Sequence, residues 1–118
     1  MPFIVRLITI VSLVTLGISG TTQASDAPPG RALFESDCAN CHTLRKGEPQ
    51  KRGPHLENLF NRQYGAVEDF EYRMVWTTAD PAWTAEELDA YLNIHGRYEK
   101  AGRADLIEYL KEATRPTP

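Results

Sequence analysis

Hydrophobic positions are spread unevenly along this chain. Near the amino terminus an apolar run, Leu7 to Ile18, follows one positive charge, Arg6, and precedes small and polar residues reaching Thr22-Gln23-Ala24. A basic start, a short apolar middle and a small-residue end is the order of a secretory signal. The run is too short and too rich in Ser, Thr and Gly to favour a retained membrane anchor. Residues 1–24 are therefore read as a cleaved signal peptide, 25–29 as a short leader, 30–115 as one domain and 116–118 as a tail. The expected location is the periplasm, with no stable membrane insertion after cleavage.

Past the leader the pattern turns helical in three places. From about Gly30 to Asn40, Phe34, Cys38 and Cys41 recur at i, i+4 and i+7. Thr84 to Glu87 reads TAEE, a capping box, with Trp83 placed to staple onto Leu88. Leu88, Tyr91, Leu92 and His95 then share one stripe. A last helix is expected from about Ala101 to Thr114, with Leu106, Tyr109, Leu110 and Ala113 inward and Pro116 as its stop. Thr43 to Asp69 keeps no period and is punctuated by Gly47, Pro49, Gly53, Pro54 and Gly65. Loops of that length in a small domain wrap something or act. No strand pattern and no internal repeat is found, so the fold class is all-α, three main helices with long loops. A bulky buried cofactor accounts for the excess of loop.

Charge narrows the partners. The net charge is −3, and only Arg6 among the bases would leave with the signal, so the mature chain is more acidic still. With no basic stripe interleaved with aromatics, nucleic-acid binding is excluded. Arg45, Lys46, Lys51 and Arg52 cluster in one loop. Such a patch either steers an acidic redox partner or simply keeps a loop soluble.

The only two cysteines stand in CANCH, Cys38 to His42. A disulfide between them would close too small a loop to constrain the unfolded chain. A thioredoxin-like pair wants a βαβ setting, and a zinc site wants a further ligand pair. Cys-x-x-Cys-His is the attachment signature of c-type haem. Two thiols add across the porphyrin vinyl groups, and the adjacent imidazole becomes an axial ligand. One covalent haem c is the expected cofactor, held at Cys38 and Cys41 with His42 on the iron.

Over Gly30 to Thr114 the chain resembles class I cytochrome c, the family of mitochondrial cytochrome c and bacterial cytochrome c2. The resemblance is carried by GRALFESDCANCHTL, RGPHLENLFNRQYG, FEYRMVWTTADPAWTAEELDAYL and ADLIEYLKEAT. It implies that Gly30 and Phe34 cross the last helix at Leu106 and Tyr109. It implies that Pro54 follows a backbone carbonyl accepting from the proximal histidine, and that Arg62, Tyr72 and Trp83 bond or screen a haem propionate. Tyr91 matches the family's distal-side tyrosine.

One segment departs from the family. The relatives carry a methionine ligand between the last two helices, whereas Asn93 to Ala104 reads NIHGRYEKAGRA, shorter and without methionine. For the sixth position this leaves His95, Met74, Lys100 or an open iron, with Tyr91 lining the pocket; His55 is read as a surface residue. The expected function is one-electron transfer between redox partners by a non-enzymatic carrier, as a monomer or as a small subunit of a complex. The alternatives are a haem protein whose open distal site binds nitric oxide, carbon monoxide or peroxide, or turns over peroxide weakly, and a small haem subunit of a larger redox enzyme.

Overall fold

The computed structural model describes residues 28–75 and 81–118. The signal-peptide reading of residues 1–24 lies outside the described residues, as does the middle of the third matched segment, 76–80. Among the described residues the architecture is all-α: α1 (Pro29–Leu33), α2 (Ala85–Ile94) and α3 (Lys100–Ala113). A π-helical segment (Phe34–Cys38) continues α1, and a single 3₁₀ turn (Leu59–Asn61) interrupts the long loop. None of these helices is long and apolar enough to cross a membrane.

Two of the helices begin where the sequence provides a start. Pro29 sits in the first turn of α1, where its missing N–H costs nothing. Thr84 caps α2, its hydroxyl accepting from the Glu87 N–H at 3.0 Å. The capping box is only half closed, because the Glu87 carboxylate instead accepts from the Tyr64 hydroxyl at 2.8 Å. The expected first helix is not uniformly α. After Leu33 the bonding slips to i→i+5, with Ala39 N–H donating to the Phe34 carbonyl at 2.9 Å. Insertions of this kind change which side chains share a face and recur at functional sites.

α1 crosses α3 at Gly30. A Cβ there would stand 2.0 Å from the Asp105 carbonyl oxygen and 2.7 Å from Tyr109 Cβ, so only glycine permits this approach. The crossing partner at Gly30 is thus Asp105 with Tyr109, while Phe34 packs its ring 5.8 Å from that of Tyr109. Phe34, Leu59, Leu88, Leu92, Leu106, Ile107 and Leu110 form the buried core. That is a thin core for such a chain, as its size predicts.

The connector between α2 and α3 is five residues, His95–Glu99, turned by two left-handed positions, Gly96 (φ 64) and Tyr98 (φ 56). Arg103, buried on α3, fastens it. Its guanidinium donates to the Tyr98 carbonyl at 2.9 Å and pairs with Asp89 of α2 at 2.7 Å.

Candidate functional site

The site is built around one helical turn. The Cys38 carbonyl accepts from both Cys41 N–H (3.0 Å) and His42 N–H (2.9 Å), so two thiols and an imidazole project from consecutive positions of a single coil. Two backbone bonds then clip the following loop alongside: Gly53 N–H to Cys41 O at 2.8 Å and Leu56 N–H to Thr43 O at 2.9 Å. Between them the Pro54 carbonyl meets His42 Nδ1 at 2.8 Å. The accepting carbonyl is therefore that of Pro54 itself, which corrects the expectation that it belongs to the residue before. A carbonyl can only accept, so Nδ1 carries the proton and Nε2 is left with a free lone pair.

Gly53 makes the fit possible. A Cβ at that position would lie 2.4 Å from His42 Cε1 and under 3 Å from both ring nitrogens, so the ring rests directly on glycine backbone. Nothing in the spacing of the chain singled Gly53 out beyond its place before Pro54.

His42 opens onto two adjoining cavities. One, of about 320 Å³, lies within the size range of small-ligand sites and is predominantly apolar. Phe34, Leu59, Leu88, Leu92 and Leu106 form much of its greasy wall, and Cys38, Pro54, Arg62, Tyr72, Trp83 and Tyr91 are among the rest of its lining. The other, of about 370 Å³, is bounded by Cys38, Cys41, His42, Tyr91, His95 and Tyr98, among others. The chain thus gathers Cys38, Cys41, His42, Pro54, Arg62, Tyr72, Trp83, Tyr91 and His95 around two neighbouring spaces that share Cys38, His42, Tyr91 and Leu92. Met74 lines neither and is 65% exposed. Lys100 opens α3 at the surface, also away from both.

The polar residues are already engaged. Arg62 donates to the carbonyls of His55 (2.6 Å) and Glu57 (2.9 Å), fixing the loop that carries Pro54. Burial weakens the hold of Arg62 on its proton, yet a guanidinium stays charged. The Tyr72 hydroxyl accepts from Val67 N–H at 3.3 Å. His55 is half-buried beside Arg62, at 3.5 Å, rather than a plain surface residue. Burial, seconded by the Arg62 charge, lowers its proton affinity. Burial likewise raises the Cys38 thiol above its ordinary value, with the neighbouring Asp37 adding to it.

Trp83 is placed by a short antiparallel bridge, Gln63 with Ala82, flanked by Trp83 N–H to Arg62 O at 3.0 Å. That isolated pairing was invisible to a search for strands. It also brings Tyr64, which sequence reasoning missed, to 4.1 Å from the Trp83 ring. Tyr91 meets Trp83 edge-on at 5.5 Å, and His95 lies 4.4 Å from Tyr91, completing a row of four rings.

Comparison with known proteins gives the family. The sequence profile described as Cytochrome c matches residues 27–114, nearly the whole described domain. This chain belongs to the cytochrome c family. Cytochrome c of Guizotia abyssinica is 36% identical over 103 residues, covering 77% of this chain and 93% of the relative. That of Ginkgo biloba is 36% identical, covering 76% and 95%, and that of Theileria parva is 36% identical, covering 75% and 87%. Membership makes the chain a haem electron carrier rather than an enzyme, with one covalent haem c and redox proteins as its partners. The residues fit that group. An apolar cavity meets the Cys38 thiol, an imidazole whose Nε2 is free and a cationic Arg62, and Cys41 lines the adjoining space that shares Cys38 and His42.

Proposed function

We propose that the chain is an exported single-haem carrier in which Cys38 and Cys41 form the thioethers and His42 is the proximal iron ligand. The observation that carries this reading is the His42 hydrogen bond to the Pro54 carbonyl at 2.8 Å, on a turn that also holds both cysteines. It fixes the ring, selects the tautomer and raises the basicity of Nε2. The bound group supplies a one-electron iron couple. The protein's part is to hold it and set its environment. The leucine and phenylalanine wall excludes water, and Arg62, Tyr72 and Trp83 offer donors and cover to acidic groups at the haem edge, which are costly to bury alone.

Export is read from residues 1–24, with cleavage after Ala24 and periplasmic delivery. Two of the four cations in the basic loop are fixed by hydrogen bonds to carbonyls, which leave their charge intact. Arg45 donates to the Arg115 carbonyl and Lys51 to the Ala39 carbonyl, which leaves Lys46 and Arg52 as its freer cations. A weak, transient redox encounter suits so small a patch.

Intact mass and subcellular fractionation test the export claim: the protein should begin at Ser25 and leave with the periplasmic contents. Recovery in the cytosol with Met1 retained would overturn it. Spectroelectrochemical titration tests the carrier claim. A reversible wave with the slope of a single electron is expected, and a multi-electron or irreversible response would contradict it.

A further inference from the structure

We infer that His95 supplies the second axial nitrogen to the iron, which makes this a bis-imidazole cytochrome; the inference rests on the haem reading above. The connector of five residues leaves little chain to bring any other ligand over this face. It is also held in place, by Arg103 on the Tyr98 carbonyl (2.9 Å) and by the Tyr98 hydroxyl on the Asp37 carboxylate (2.5 Å). That second bond occupies the Tyr98 phenol and ties the connector to the residue next to Cys38.

His95 is the C-cap of α2 and lines the same cavity as Cys38, Cys41 and His42. Its imidazole has no hydrogen-bond partner among the described residues, so neither ring nitrogen is committed and either tautomer leaves one lone pair to bind. Its ring is nevertheless oriented, by the contact with Tyr91 at 4.4 Å and through it by Trp83. A positioned, uncommitted imidazole on the wall of a cavity that already holds another is a ligand in waiting. The other candidates fail on placement: Met74 and Lys100 line neither cavity.

The consequence is a closed, six-coordinate iron that transfers electrons without binding small molecules. Its potential should be lower than methionine ligation would give, since a thioether raises the potential of a haem.

The test uses holoprotein matured with haem attached, with haem retention checked first by mass. A bare polypeptide would sink the parent reading rather than this one. On haem-bearing protein, electron paramagnetic resonance and absorption should report low-spin iron in both oxidation states, with no carbon monoxide adduct on the reduced form. His95→Ala should lose the low-spin signal, bind carbon monoxide, and recover low spin when imidazole is added. His95→Met should keep six-coordination and raise the midpoint potential. Met74→Leu and Lys100→Ala should leave the low-spin signal intact. High-spin iron in the unsubstituted protein, unchanged low spin in His95→Ala, or its loss in either control would each overturn the inference.

Discussion

Replacing Gly53 by alanine probes the seat of the proximal histidine. The new methyl would stand 2.4 Å from His42 Cε1, and the ring must retreat to the 3.4 Å of ordinary contact. It cannot do so freely, because its Nδ1–H is held by the Pro54 carbonyl at 2.8 Å and Pro54 is the next residue along. Overpacking of this kind costs about 1–3 kcal/mol. Losing the hydrogen bond adds about 0.5–1.5 kcal/mol. Reduced freedom of the unfolded chain offsets about 0.4–1 kcal/mol, which is available because Gly53 needs no left-handed backbone. The net loss is about 2 kcal/mol, or roughly 8–16 °C in melting temperature for a domain this small. Thermal unfolding of the holoprotein, followed by circular dichroism and by the haem absorption band, measures it. Arg52→Ala is the control, an exposed neighbour expected to stay within about 0.5 kcal/mol. A Gly53→Ala protein that melts with the control, and whose iron spectrum is unmoved, would refute the claim that the ring is seated on glycine backbone.

Other outcomes follow from the same geometry. Thr84→Ala should remove the α2 cap and cost about 1 kcal/mol in denaturant unfolding, with α2 the first segment to exchange its amide hydrogens. Burial, then the bond to Glu87, pushes the Tyr64 phenol up to about 12. Its contribution is fully present below the ordinary phenol value of 10.0 and is lost as pH rises through about 12, so Tyr64→Phe should flatten that part of the alkaline stability profile. His55 has the opposite sense. Its folded-state proton affinity is lowered by burial and by Arg62 and Lys46, with Glu57 and Asp69 opposing, so stability falls as pH drops below 6.5. His55→Asn should abolish that acid-side loss in pH-dependent unfolding.

Much of this was legible in the chain because it is local. The cap at Thr84, the stripe from Leu88 to His95 and the CANCH turn are written in neighbouring residues, and the first helix begins at Pro29, one residue before the expected Gly30. What escaped depends on contacts between distant segments. The slip to π bonding after Leu33 leaves no mark in an apolar period. Tyr64 reaches its place only because residues 62–64 pair with 81–83, and Arg103 reads as a surface cation until Asp89 and the Tyr98 carbonyl are seen beside it. Half of the capping box failed for the same reason: Tyr64 offered Glu87 a bond from outside the helix. The shortness of the α2–α3 connector, by contrast, could be counted directly in the sequence.

Intact mass of the mature protein in denaturing acid, alongside thiol titration of Cys38 and Cys41, tests the central assignment most directly. The account predicts the polypeptide from Ser25 plus one haem that survives unfolding, with both thiols unreactive. A bare polypeptide mass with two titratable thiols, from cells that attach haem to a control cytochrome, would contradict it.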